Sequence, residues 1–350
     1  MPLPCTALSR LVRASAISRN NNMTRRFMPF VIAIAAMLAF AADAHAAQPL
    51  QKIIFSTDWL AQAEHGGFYQ ALAEGTYGKY GLDVDIRMGG PQVNGLQLLA
   101  AGRLDVAMAD ALQVMSAVEQ NVPVVAVAAT FQKNPTVVIA HPGVERLEDL
   151  KGRPIALGAA SNTTFWPWLR EKYHFTDDQK RPYGFSVQPF LVDPALSQQG
   201  FVTSEPFSIE KGGVQPKVFL LADFGYPPYS EVLAVTRKTL GARRDVLERF
   251  IRASAEGWKS YLANPAPGNA LIKRANPQMS DELLAYGVRK IKEYGLVTGG
   301  DARRLGIMTM TDARWKATAD FLRAAGLAKP GVDYARAYTL DLVKAVHVVP

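Results

Sequence analysis

The sequence predicts an α/β protein of two lobes, each a mixed and mostly parallel sheet flanked by helices. Three observations point there. The chain has 350 residues, 49% of them hydrophobic and 20% charged, which suits a folded protein with a large core and exceeds the usual size of one domain. From Lys52 onward, short apolar or β-branched runs alternate with helical stretches, the pattern of βαβ units. That alternation stops at Phe131-Gln132-Lys133-Asn134-Pro135 and then starts again.

In the first stretch, strands are expected over 52–57, 82–88, 104–109 and 122–130, with helices over 67–80, 92–101 and 112–120 between them. In the second, the expected order is strands at 136–140 and 154–157, a helix over 163–173 and a strand at 185–190. A weak helix near 194–200 and strands at 201–203 and 217–222 follow, ending near Pro227-Pro228. One further strand, 232–236, precedes helices over 245–262, 268–275, 281–294 and 312–325. In the last of these, Trp315, Ala319 and Leu322 share a face at i, i+4, i+7 spacing. Those helices need a sheet to cover. The chain is therefore expected to return to its first lobe, so that 47–135 and 232–350 form one lobe and 136–231 the other, with crossings near 131–136 and 226–232. The cleft between the lobes is the expected ligand site.

Residues 1–46 read as an N-terminal extension and a secretory signal peptide that is removed. Arg25 and Arg26 precede an apolar run of 14 residues, 27–40, too short to span a bilayer, and Ala44-His45-Ala46 supplies the small-x-small pattern of a cleavage site. Met23 opens a conventional signal sequence. Cleavage takes five of the 39 bases and one of the 31 acids, leaving 34 against 30, so the net charge falls from +8 to +4. No basic run interleaved with aromatics remains, which argues against nucleic acid as a partner. The single cysteine, Cys5, lies in the removed segment, which excludes disulfides, a Cys nucleophile and Cys-based metal sites from the mature chain. Ala47-Gln48 stands where a lipoprotein would need Cys. A free periplasmic protein, taken to be monomeric, is expected.

Catalytic motifs are absent: there is no G-x-S-x-G, H-E-x-x-H, P-loop or G-x-G-x-x-G, and His65, His141, His174 and His347 are too scattered to argue a metal cluster from spacing. No catalytic residue, metal or cofactor is expected. Polar and aromatic residues do collect where strands end, the place where open α/β sheets bind ligands. Asp58, Trp59, His65 and Tyr69 follow the first strand, Gly89-Gly90-Pro91 the second and Asp110 the third. Each also has a plainer reading: core aromatic for Trp59, helix-start cap for His65 and Asp110, tight turn for Gly90. In the second lobe, Ser161, Asn162, Thr163 and Thr164 gather at a helix start, where free N–H groups suit an anionic or hydrogen-bond-accepting ligand. Glu205 leaves another strand end, as a ligand acceptor or a loop acid.

With these residues in place, the chain resembles the NMT1/THI5-like group of periplasmic substrate-binding proteins of ABC importers, which shares a domain with eukaryotic thiamine-pyrimidine synthases. The resemblance spans nearly all of the mature chain. It rests on D-W-x5-H at Asp58, Trp59 and His65, on GGFYQALAEGTYGKYGLDVDI, on GGPQVNGLQLLAAGRLDVAMAD, on GAASNTTFWPW with Trp166, and on VTSEPF and LADFGYPPY with Tyr226. It implies a two-lobed type II binding protein that closes on a small-molecule ligand and delivers it to a membrane permease driven by a cytoplasmic ATPase. It further implies that Trp59 and a second aromatic sandwich a flat ring while Asp58, Asn162 and Glu205 bind its polar edge.

Two departures stand out. Pyrimidine-binding members carry Pro or Val and then Asn where this chain has Ala61 and Gln62, so Gln62 places its amide one methylene farther out. The synthases need a cysteine-rich iron segment that the mature chain lacks. Three readings follow: an importer component for a planar nitrogen heterocycle such as a thiamine-pyrimidine precursor, with sulfonate, nitrate or flavin as other solutes; a periplasmic enzyme on the same fold; and a receptor module that hands a ligand-dependent shape to a sensor.

Overall fold

The computed structural model describes residues 49–90, 93–184, 186–328, 331 and 333–350. The expected signal segment, 1–46, lies outside the described residues. Among those described, no helix is long and apolar enough to cross a membrane.

Among the described residues, ten strands form two sheets of five. The first contains β1 (Gln51–Ser56), β2 (Leu82–Arg87), β3 (Val106–Ala109), β4 (Val124–Ala129) and, from late in the chain, β10 (Val232–Thr236), in the order β2-β1-β3-β10-β4. The second contains β5 (Thr136–Ala140), β6 (Ile155–Leu157), β7 (Lys180–Pro182), β8 (Ser197–Phe201) and β9 (Lys217–Leu220), in the order β7-β6-β8-β5-β9. Strands β1 and β2 pair in parallel, as do β1 and β3, and in the second sheet β6 is parallel to both β7 and β8. The antiparallel strand of each sheet is the one the chain enters directly after a crossing: β10 runs against β3 and β4, and β5 against β8 and β9. A strand arriving from the other sheet must enter from the carboxyl ends of its neighbours, so both sets of carboxyl ends face the same gap.

The central strands are apolar because both faces are covered. Every residue of β3 and β4 is buried, as are Val232 to Val235 of β10. Over the first sheet, the helix Gly66–Ala73 packs against the long helix Arg244–Ala263, and glycine explains how close they come. A Cβ on Gly67 would stand 2.2 Å from the Trp258 ring, and one on Gly66 2.1 Å from Tyr261. The HGGFY segment is thus a packing device that fixes where His65 sits. Phe68 completes it, 4.8 Å from Phe55 and 6.2 Å from Trp258 between ring centres.

Most expected elements are found within a few residues. The helix expected over 67–80 breaks at Gly75, whose φ of +67° ends the first segment before a single turn at Thr76–Lys79. Differences concentrate in the second lobe. The strand expected over 185–190 is instead the helix Gln188–Val192, with Pro189 in its first turn and Phe190 buried against the His141 ring at 4.1 Å. The helix expected near 194–200 is the interior strand β8. Its sequence, SQQGF, has weak strand propensity, and its place between β6 and β5 overrides that. The strand β7 and the helix Glu205–Lys211 had no counterpart in the expectation.

Candidate functional site

A cavity of about 670 Å³ lies at the carboxyl ends of both sheets. Loops after β1, β2 and β3 line it from one side, loops after β6 and β8 from the other, and Ser230 and Glu231 close it where the chain enters β10. Ten of the expected residues line it: Asp58, Trp59, Gln62, His65, Gly90, Asp110, Ser161, Thr163, Thr164 and Glu205.

The other four lie elsewhere. Tyr69 is buried in its helix and is not part of the lining. Asn162 is exposed, donates to the Ala159 carbonyl at 3.1 Å and accepts from Lys180 at 3.1 Å. Trp166 is buried, its indole N–H held by Asp177 at 2.8 Å. Tyr226 is buried with its ring 5.4 Å from Trp168 and 6.3 Å from Phe321. On a helix, residues such as Trp166 face wherever the apolar stripe points, and sequence adjacency to a strand end does not decide that.

Asp58 and His65 form a pair. His65 is 2% exposed, its Nδ1 accepts the main-chain N–H of Gln62 at 3.3 Å, and its Nε2 stands 3.2 Å from Asp58 Oδ1. Because a main-chain N–H only donates, the ring proton belongs on Nε2, which donates to Asp58. Asp58, His65 and Glu231 offer ligand atoms within 4.8 Å of one another. A metal would need the bare Nε2 lone pair, however, and the Gln62 contact sets the opposite tautomer. The group is built for hydrogen bonding.

Gly89 serves the loop rather than the cavity. A Cβ there would meet the Thr57 carbonyl at 2.4 Å, while its N–H donates to the Trp59 carbonyl and to Thr57 Oγ1, both at 3.1 Å. This clamps the loop that carries Asp58 and Trp59. Asp110 joins its two readings: Oδ1 caps the helix Ala111–Glu119 through the Leu112 N–H at 2.7 Å, and the residue lines the cavity. Burial pushes its carboxyl up to about 7, the cap bond pulling the other way and the Asp58 charge adding to the rise.

The expected anion-binding helix start does its work internally. Gly158 N–H donates to Gln199 Oε1 at 2.6 Å, and the Ser161 hydroxyl donates to the same oxygen. The Thr163 and Thr164 hydroxyls turn back to the Ala160 carbonyl at 3.1 and 3.2 Å. Glu205 is likewise held by the protein: Tyr183 O–H donates to Oε1 at 3.0 Å, and Phe201 N–H and the Ser204 hydroxyl donate to Oε2 at 2.8 and 2.5 Å.

Two acids that sequence reasoning passed over complete the site. Glu64, 3% exposed, accepts a hydrogen bond from the Thr203 hydroxyl, which joins the loop after β1 to the loop after β8. Burial raises its carboxyl above the usual range. Glu231 is 1% exposed and neither carboxylate oxygen has a partner among the described residues. Burial, then the Asp58 and Glu64 charges, push it well up. The available signal for Glu231 was its position directly before the apolar run Val232 to Val235, where an acid follows the chain into the core. Glu64 carries no such signal. Together with Asp58, Asp110 and Glu205 these make five carboxyl groups, and among the described residues no Lys or Arg lines the cavity. Such a lining offers acceptors to N–H donors and no counter-charge to an anion.

A family model described as NMT1/THI5 like matches residues 62–267, more than half of the chain. A riboflavin-binding protein, RibY, from Chloroflexus aurantiacus is 24% identical over 314 residues, covering 87% of this chain and 89% of the relative. A formylaminopyrimidine-binding protein from Halalkalibacterium halodurans is 24% identical over 233 residues, 62% of this chain and 68% of the relative. Among solved structures, the periplasmic aliphatic sulphonate binding protein SsuA of Escherichia coli superposes with a TM-score of 0.62 at 13% identity, covering 82% of this chain and 91% of its own. That likeness concerns the periplasmic-binding-protein fold.

Proposed function

The chain belongs to the NMT1/THI5-like family, and from that premise we propose that it is the solute-binding component of an ABC importer for a small planar nitrogen heterocycle. The observation that carries this reading is the cavity's lining: five carboxyl groups and, among the described residues, no Lys or Arg. A sulfonate or nitrate would find no counter-charge there, whereas ring and exocyclic N–H groups would find acceptors. Trp59, half-buried at the cavity wall, supplies an aromatic face for a flat ring. The two curated relatives are named for flavin and aminopyrimidine ligands, both planar nitrogen heterocycles.

In this reading the protein holds and releases its ligand unchanged, with no bond made or broken. The signal segment delivers it to the periplasm, where it works as a monomer with a membrane permease and its ATPase. Residues 47–135 with 232–350, and 136–231, act as two lobes that close about the crossings, and the Glu64–Thr203 hydrogen bond is a contact of the closed form.

Mass spectrometry of whatever is released on denaturing protein purified from its own periplasm identifies the solute. Calorimetry with riboflavin, 4-amino-2-methylpyrimidine and ethanesulfonate then tests the class. Binding of a heterocycle is expected, with Trp59→Ala weakening it by about 1–3 kcal/mol through lost apolar burial and ring contact while leaving stability nearly unchanged. Ethanesulfonate binding in place of both heterocycles overturns the reading, and so does chemical turnover of the bound ligand.

A further inference from the structure

Beside the cavity, the two sides of the molecule meet through a pair of rings. The helix Glu205–Lys211, which follows β8, sets the Phe207 ring on Tyr286 of the helix Asp281–Glu293, with ring centres 5.3 Å apart and planes inclined at 43°. Tyr286 is 5% exposed and Phe207 is half-buried, so separating them returns apolar surface to water. Each ring also has a cation from its own helix: Lys211 lies 5.6 Å from the centre of Phe207, and Arg289 5.3 Å from that of Tyr286.

Next to Tyr286 stands Gly287, inside a helix that glycine weakens. A Cβ there would meet the Ala63 Cβ at 2.7 Å and the Thr203 carbonyl oxygen at 3.2 Å. The glycine therefore lets this helix lie against the loop after β1 and the loop after β8 at once. Thr203, 1% exposed, is held between the two: its carbonyl lies against Gly287 and its hydroxyl donates to Glu64. None of Thr203, Phe207, Tyr286 and Gly287 lines the cavity.

The same helix reaches the first crossing at its other end. Lys133 stands 5.4 Å from the centre of the Tyr294 ring, and the Leu296 carbonyl accepts the Gln132 N–H. The helical rise from Tyr286 to Tyr294 is roughly 12 Å. A rotation of about 20° at the crossings thus carries Phe207 about 4 Å from Tyr286, which is enough to part the rings.

We propose that Phe207 and Tyr286, with Thr203 seated on Gly287, form a latch that holds the two lobes closed and so sets how tightly the protein retains its solute. This rests on the two-lobe reading above and adds to it residues that set affinity without touching the ligand. An observed affinity is the intrinsic one reduced by the fraction of molecules in the binding-competent arrangement, so a contact made only on closing strengthens binding. The rings must part before the solute leaves, so the latch acts on release rather than on capture.

Spin labels at Leu72→Cys and Val192→Cys, exposed positions on the first-sheet and second-sheet sides, report the separation of the lobes in a Cys5→Ser background. Double electron–electron resonance is recorded on the ligand-free protein with the rings intact, with Phe207→Ala, with Tyr286→Ala and with both. Intact rings are expected to give a single short distance, and each variant a population longer by about 4 Å or more. Because both substitutions break one contact, the double variant should match either single one. Riboflavin is the solute probe: each variant should weaken its binding roughly 5- to 30-fold, through faster release at nearly constant association. Unchanged distances in the double variant overturn the proposal. An effect of Tyr286→Ala that Phe207→Ala lacks overturns it too, by making Tyr286 a packing residue of its own lobe, and so do effects that add in the double variant. Failure of wild type to bind riboflavin counts against the solute reading, while the spin-label distances still decide the latch.

Discussion

The Arg314 guanidinium lies 4.1 Å from the centre of the Tyr229 ring, and from there it donates to main-chain carbonyls of both crossings between the sheets. Its Nε reaches the Pro227 carbonyl at 3.0 Å, one terminal nitrogen the Pro228 carbonyl at 3.3 Å and the other the Gln132 carbonyl. Asn134 adds a bond from its amide to the Pro228 carbonyl at 3.1 Å, and Thr311 N–H donates to the Tyr229 hydroxyl at 3.1 Å. One planar side chain thus ties together segments almost a hundred residues apart, and Tyr229 stands two residues before Glu231.

Arg314→Met is therefore expected to lower stability by about 2–4 kcal/mol, because it leaves several half-buried carbonyls without a donor. Arg314→Lys should recover less than half, since an ammonium presents no rigid fork. Urea unfolding curves measure this. A change below about 0.5 kcal/mol for Arg314→Met would show that water replaces the clamp.

Glu205 has a structural task that its strand-end position did not announce. With three donors directed at it, Glu205→Gln turns an amide NH2 toward at least one N–H or O–H that needs an acceptor. We expect a stability loss of about 1–3 kcal/mol in the ligand-free protein. Any loss of ligand affinity should be accompanied by that loss. Chemical denaturation of the apo variant decides the matter: unchanged stability with weakened binding would return Glu205 to the ligand.

What the sequence disclosed and what it hid divide along a physical line. Alternation of apolar runs and helical stretches is a local signal, so β1 to β6, β9 and β10 could be placed, and the carboxyl-end rule then led to Asp58, Trp59, His65 and Asp110. Strand β8 was hidden because its SQQGF sequence is held extended by neighbours on both sides rather than by its own propensity. Glu231 was passed over because the groups around it, the Asp58 and Glu64 carboxyls and the Thr130 N–H on its carbonyl, come together only when the chain crosses back. Gly66 and Gly67 read as part of a ligand motif, whereas the rings of Tyr261 and Trp258, nearly two hundred residues on, are what require them.

Acid groups held above their ordinary range give the ligand-free protein an unusual pH response. Asp110 binds its proton up to about pH 7 in the fold and only to the ordinary carboxylate range when unfolded, and Glu64 and Glu231 are shifted in the same direction. The folded state therefore holds more protons than the unfolded state in between, so stability falls as pH rises from about 4 to 7 instead of climbing to a neutral maximum. For Asp110 alone the full effect is on the order of 4 kcal/mol once the pH exceeds 7. Asp110→Asn keeps a cap of nearly equal quality for the helix Ala111–Glu119, because Asn and Asp rank together at that position, and it cannot ionise. The variant should match wild type near pH 3, exceed it at pH 7.5, and show a shallower slope that the remaining two glutamates keep from vanishing. Thermal unfolding at half-unit pH intervals measures both slopes. A wild type that gains stability between pH 5 and 7, or a variant with an identical slope, would show that Asp110 is ionised and solvated in the folded protein.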